Sequence, residues 1–94
     1  MKIIVGNWKM NGTNAELDNM ITDIDALDTE SRVILCVPYT LLRAGSGAVM
    51  IGAQNISKYD SGAHTGEISG AMVRNIIYFK NIAELMLPFL LSDI

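Results

Sequence analysis

Three short runs of consecutive apolar residues occur in the first 51 residues of the chain, at residues 3–5, 33–37 and 48–51. Each run is followed at once by a glycine or a proline, residues that commonly end a strand. Continuous runs of this kind predict strands of a parallel sheet, and we expect the first to be buried on both faces. Strands separated by segments that hold helical patterns indicate βαβ units.

A helix is predicted between the first two strands. Thr13 followed by Glu16 has the form of a capping box, in which each side chain pairs with a free backbone N–H at the start of a helix. Apolar residues then recur at steps of three and four, while acidic residues take the opposite side. We therefore expect a helix over residues 14–28, with an apolar stripe made of Leu17, Met20, Ile21, Ile24 and Leu27.

The segments after the second and third strands differ in character. Residues 39–44 predict one or two helical turns. Residues 54–66 are polar and contain glycine, and a loop of that length without secondary structure is more often functional than accidental. Ser69 is expected to cap a short helix that carries Met72 and Val73.

The last part of the chain is its most apolar. Residues 76–79 predict a strand, and the apolar positions between residues 82 and 90 have a helical spacing that Pro88 interrupts. Lys80 and Glu84 break the apolar run, which is also short for a bilayer crossing. We expect no membrane association.

Composition and charge narrow the class of protein. The 94 residues are 50% apolar and 18% charged, which favours one soluble globular domain at most. Seven basic and ten acidic residues leave a net charge of −3 and no basic stripe for a nucleic acid. We expect no secretory signal at the N-terminus, because only three apolar residues precede Gly6. Cys36, the single cysteine, lies within an apolar run, which favours an inert, buried thiol and a reducing compartment.

The most informative polar residues follow the first strand. In barrels of alternating strands and helices, functional side chains stand just beyond the carboxyl ends of the strands, where Asn7 and Lys9 fall. An amide and a compact ammonium suit an oxyanionic or phosphorylated ligand. Taken alone, the same residues are more often turn chemistry and a solvated charge.

Residues 6–12 read Gly-Asn-Trp-Lys-Met-Asn-Gly and closely resemble the opening motif of the triosephosphate isomerases. Three further blocks are similar to that family, in the same order. Residues 37–42 resemble the end of its second strand, residues 51–55 resemble its third strand, and residues 60–69 resemble its dimer loop. The resemblance covers residues 1 to about 74, although the segment between residues 42 and 51 is shorter than the family pattern.

This resemblance implies an incomplete (β/α)8 TIM barrel, formed by the first three to four βα units. It implies the interconversion of glyceraldehyde 3-phosphate and dihydroxyacetone phosphate in the cytoplasm, within glycolysis and gluconeogenesis, without a cofactor or metal. Asn7 and Lys9 would bind the triose phosphate, and Lys9 would also stabilise the enediolate. The complete family member would be a homodimer, with Thr65 and Glu67 at the interface.

Parts of the family's site are absent from the sequence. Its catalytic histidine lies in a Gly-His-Ser-Glu motif that these residues lack, and the catalytic glutamate has no counterpart either. His64, in the dimer loop, is expected to be solvated and non-catalytic. We expect residues 1–75 to form the family portion and residues 76–94 an apolar tail that does not match it.

We therefore predict that the chain alone is inactive. Two alternatives are an interaction fragment that docks on a full-length isomerase through its dimer loop, and another phosphate-binding barrel. The second predicts a Gly-rich phosphate nest, which is not evident in the sequence.

Overall fold

The structure, a computed structural model, describes residues 2–79. Its elements alternate along the chain: β1 (Ile3–Asn7), α1 (Asn14–Asp25), β2 (Arg32–Val37), a 3-10 turn (Tyr39–Leu41), β3 (Val49–Ala53) and α2 (Gly70–Phe79). The three strands form one parallel sheet in the order β1-β2-β3. The predicted α/β architecture is confirmed, and three parallel strands alternating with helices are consistent with part of a TIM barrel.

The register of the sheet brings the carboxyl ends of all three strands to one edge. Asn7 lies opposite Cys36, and Cys36 lies opposite Gly52. The turns that follow the strands therefore meet at this edge, which is where a functional site of such a fold is expected.

The core lies on the face of the sheet that α1 covers. Alternate residues of β2 and β3 point toward this face and interdigitate with the buried stripe of α1. Trp8, Ile24 and Leu42 pack against this core while remaining partly exposed. The buried core consists of Leu17, Ile21, Val33, Leu35, Val37, Leu41, Val49 and Ile51.

The first strand is not buried on both faces, contrary to the prediction. Ile3, Ile4 and Val5 are 62%, 53% and 59% exposed. Within the described part of the chain, β1 is an edge strand that pairs only with β2, and α1 packs toward β3 instead. A continuous apolar run indicates that two faces are suited to burial, but neighbouring elements must supply the cover.

Helix α1 begins as predicted and ends earlier. The hydroxyl of Thr13 accepts the N–H of Glu16 at 3.2 Å, which confirms Thr13 as the N-cap. The carboxylate of Glu16 accepts the Thr13 hydroxyl at 3.1 Å instead of the backbone N–H that a full capping box requires. The helix ends at Asp25, not at residue 28, because Asp28 adopts a left-handed φ of +50° that turns the chain. Leu27, assigned to the apolar stripe, is 71% exposed, and Met20 is also exposed.

Helix α2 is capped by Ser69, as predicted. The Oγ of Ser69 accepts the N–H of Met72 at 3.1 Å. Within the helix, Val73 is buried and Met72 is exposed. The predicted strand at residues 76–79 is wrong, since these residues continue α2. A short apolar run fits either period, and a nucleated helix is extended readily.

The helical spacing between residues 82 and 90 lies outside the described residues. Within residues 2–79, no helix combines the length and the apolar character needed to cross a membrane.

Candidate functional site

The turn after β1 holds Asn7 and Lys9 side by side at the carboxyl edge of the sheet. The Oδ1 of Asn7 accepts the backbone N–H of Lys9 at 2.9 Å. Lys9 adopts φ +56°, in the left-handed region that residues with side chains seldom occupy. Both side chains are exposed, so the Lys9 ammonium is accessible to a ligand from solvent.

Hydrogen bonds attach this turn to the neighbouring strands. The N–H of Trp8 donates to the carbonyl of Cys36 at 3.0 Å, and the side-chain amide of Asn11 donates to the carbonyl of Trp8 at 2.9 Å. From the end of β3, the Nε2 of Gln54 donates to the carbonyls of Lys9 and Cys36. The turn is therefore fixed to both other strands.

Trp8 and Gly12 close the turn on the side of the core. The Trp8 ring packs against the core while remaining partly exposed. Gly12 adopts φ +113°, and a Cβ atom there would lie 2.6 Å from the ring. Only glycine fits this conformation and this close approach.

A cleft of about 230 Å³ opens beside the turn. Its walls come from the segments that follow all three strands and include Lys9, Tyr39 and Gln54. The hydroxyl of Tyr39 donates to the carbonyl of Asn55, which joins two of these segments. The cleft thus has apolar and aromatic walls with a cation at its edge, an arrangement that can hold a small oxyanion.

The long loop after β3 forms a second, separate cluster. Its ends are joined by a hydrogen bond of 2.8 Å from the N–H of Ser57 to the carbonyl of Ile68. The rings of Tyr59 and His64 stack at 3.8 Å with an angle of 4° between their planes. Two local backbone hydrogen bonds involve His64. Its N–H donates to the carbonyl of Gly62 at 2.9 Å, and its carbonyl accepts the N–H of Glu67 at 3.0 Å, so the loop is compact.

Comparison with known proteins identifies the family. The model of the triosephosphate isomerase family matches residues 2–79. This chain belongs to the triosephosphate isomerase family. It is 43% identical over 79 residues to the triosephosphate isomerase of Methylococcus capsulatus. The aligned segment covers 77% of this chain and 32% of that protein. The triosephosphate isomerase of Mycoplasma capricolum is 42% identical over 80 residues, which cover 80% of this chain and 32% of that protein.

The chain thus spans about a third of the length of the triosephosphate isomerases it matches. The family match ends at residue 79, so the expected boundary near residue 75 and the separate tail stay predictions.

The structure brings together two of the four residues assigned to the site from the sequence. Asn7 and Lys9 share one turn at the cleft, whereas Thr65 and Glu67 lie exposed on the loop after β3. The roles of all four stay predictions. His64 does not line the cleft that holds Lys9. It is half-buried against Tyr59, so the expectation of a solvated histidine holds only in part.

Two further observations concern metal and thiol chemistry. Across residues 2–79, no group of three or more His, Cys, Asp or Glu side chains is arranged to bind a metal ion. Cys36 is free and half-buried, so it is more accessible than the buried thiol that was predicted. Gln54 is a site residue that was not assigned from the sequence. It lies just beyond the carboxyl end of a strand, as Asn7 and Lys9 do, but its contacts with Lys9 and Cys36 depend on the register of the sheet.

Proposed function

We propose that this chain supplies the substrate-holding part of a triose-phosphate isomerase, which interconverts glyceraldehyde 3-phosphate and dihydroxyacetone phosphate. The observation that carries the proposal is the Asn7–Lys9 turn, held beside a cleft at the carboxyl edge of the sheet. Family membership supports a functional interpretation of this turn, because the same turn in an unrelated protein would be ordinary turn chemistry.

Lys9 and Asn7 have separate roles in this proposal. The ammonium of Lys9 binds the negative charge of the triose phosphate and stabilises the enediolate that forms when a proton leaves carbon 1 or carbon 2. Asn7 uses Oδ1 to fix the backbone of Lys9, which leaves its amide N–H groups for the ligand.

The proton transfer itself requires other groups. In this isomerisation, a carboxylate base takes the proton from one carbon and returns it to the neighbouring carbon, while a neutral histidine polarises the carbonyl. We propose that these 94 residues alone bind the ligand without turning it over, since neither group has a counterpart among them by family resemblance.

A homodimer forms part of the proposal for the complete protein in the cytoplasm. The loop around Thr65 and Glu67 is compact and exposed, which suits insertion into a second copy near its Asn7. Met10, beside the cleft, is 95% exposed and offers an apolar contact for such a loop.

A second candidate is a non-catalytic fragment that docks on a full-length isomerase through the same loop. The closed ends of the loop and its Tyr59–His64 stack favour a surface that is formed before a partner binds. Mixing this chain with a full-length isomerase and following dimer exchange tests this candidate. Exchange with no ligand binding by the chain favours docking over substrate holding.

The substrate-holding proposal is tested by titrating the labelled chain with dihydroxyacetone phosphate and following the resonances of Asn7 and Trp8, which every variant keeps. We expect Lys9→Ala to abolish the shifts and Lys2→Ala, at the other end of β1, to leave them unchanged. Equal binding by Lys9→Ala would refute the proposal. Isomerase turnover by the chain, lost in Lys9→Ala, would refute its inactivity.

A further inference from the structure

Gln54 joins the ends of all three strands through one side-chain amide. It follows β3 directly, and its Nε2 donates to the carbonyl of Lys9 at 2.9 Å and to that of Cys36 at 3.0 Å. The Cys36 carbonyl also accepts the N–H of Trp8 at 3.0 Å. Both lone pairs of this carbonyl are therefore used, and the turn after β1 is tied to β2 by a residue from β3.

The backbone of Lys9 needs such support. Its φ of +56° lies in the left-handed region, which is unfavourable for a residue with a Cβ atom. Its N–H donates to the Asn7 side chain at 2.9 Å, and its carbonyl accepts the amide of Gln54. The two peptide groups that flank the Cα atom of Lys9 are thus held on both sides, which fixes the direction in which its side chain leaves the turn.

We propose that Gln54 is a positioning residue, which holds Lys9 in the left-handed conformation and thereby places its ammonium at the edge of the cleft. Gln54 is exposed overall, so it contributes little to the core. Its effect on ligand binding acts through Lys9, and this part of the inference rests on the function proposed above. A purely structural role, limited to the loop at residues 54–67, would leave Lys9 unaffected.

The test compares Gln54→Met, which keeps the length of the side chain and removes its donors, with Asn19→Met on the exposed face of α1. In NMR spectra, three-bond couplings and carbon chemical shifts of Lys9 report its φ. Ligand binding is measured separately by titration with inorganic phosphate. We expect Gln54→Met to move Lys9 out of the left-handed region and to raise the apparent Kd for phosphate about tenfold, because only a minor fraction of the chain keeps the binding conformation. Asn19→Met should match the unaltered chain.

The outcomes separate this inference from the proposed function. Unchanged Lys9 couplings in Gln54→Met would overturn the positioning role, whether or not the Tyr59–His64 stack is lost. A failure of the unaltered chain to bind phosphate would count against the proposed function, while the Lys9 couplings would still decide the role of Gln54.

A second measurement needs no variant. In the unaltered chain, couplings across hydrogen bonds should connect the Nε2 of Gln54 with the carbonyl carbons of Lys9 and Cys36. The absence of the coupling to Lys9 would overturn the inference, even if Gln54→Met failed to fold.

Discussion

The burial of Leu17 allows a quantitative test of the core. Leu17 is fully buried in α1, whereas Leu27, two residues beyond the helix, is 71% exposed. Leu17→Ala removes the same atoms as Leu27→Ala, but it also leaves a cavity against β2 and β3. Deleting a buried leucine side chain costs about 3 kcal/mol, and an exposed one costs less than about 0.5 kcal/mol.

The assay is urea unfolding at low protein concentration, followed by circular dichroism. A domain of this length has a free energy of unfolding of roughly 5–14 kcal/mol, so Leu17→Ala removes a large part of it. With a slope of about 1.5 kcal/mol per M urea, the midpoint should fall by about 2 M. Leu27→Ala should leave the midpoint nearly unchanged. Equal midpoints for the two variants would show that α1 does not pack on the sheet as described.

Three further predictions concern the cap, the turn and the open sheet. Thr13→Ala should lower the free energy of unfolding by about 1 kcal/mol, while Thr22→Ala on the exposed helix surface should change it little. Equal losses for the two variants in urea unfolding would argue against the cap. Gly12→Ala should cost more than about 1 kcal/mol because its Cβ meets the Trp8 ring, whereas Gly70→Ala has room. Among residues 2–79 the outer edge of β1 is unpaired, so it should cause association at rising concentration. A stable monomer in concentrated solution by sedimentation would contradict this.

The strands and the first helix were predictable because their signals are local. The apolar runs at residues 33–37 and 48–51 match β2 and β3 to within two residues, and Thr13 marks the start of α1. Burial was less predictable. The exposed β1 shows that a run of apolar side chains does not say which neighbours are present to cover it.

The segment at residues 76–79 shows a different limit. Four consecutive apolar residues fit a strand or a buried helix turn equally well by period. The Ser69 cap decides the outcome, because it starts a helix at Gly70 that then continues through Phe79. A prediction that gave the cap priority over the apolar run would have assigned α2 correctly.

The candidate site was only partly predictable for a related reason. Asn7 and Lys9 are visible because they follow a strand and fall within a family motif. Gln54 contacts Lys9 across 45 positions of sequence. That contact exists only because parallel pairing aligns the ends of β1, β2 and β3, so it follows from the register and not from any local pattern.

The connection between β2 and β3 is short, and it leaves the carboxyl ends of the two strands aligned. Parallel strands are usually joined through a helix, but here the connection contains only the 3-10 turn Tyr39–Leu41. Arg43 reaches from this connection to Asp18 and to the carbonyl of Asn14, which ties α1 across it. Helix α1 packs toward β3 on this face of the sheet. The site is built from turns at the strand ends, and the hydrogen bonds of Lys9 and Gln54 involve no residue of α1.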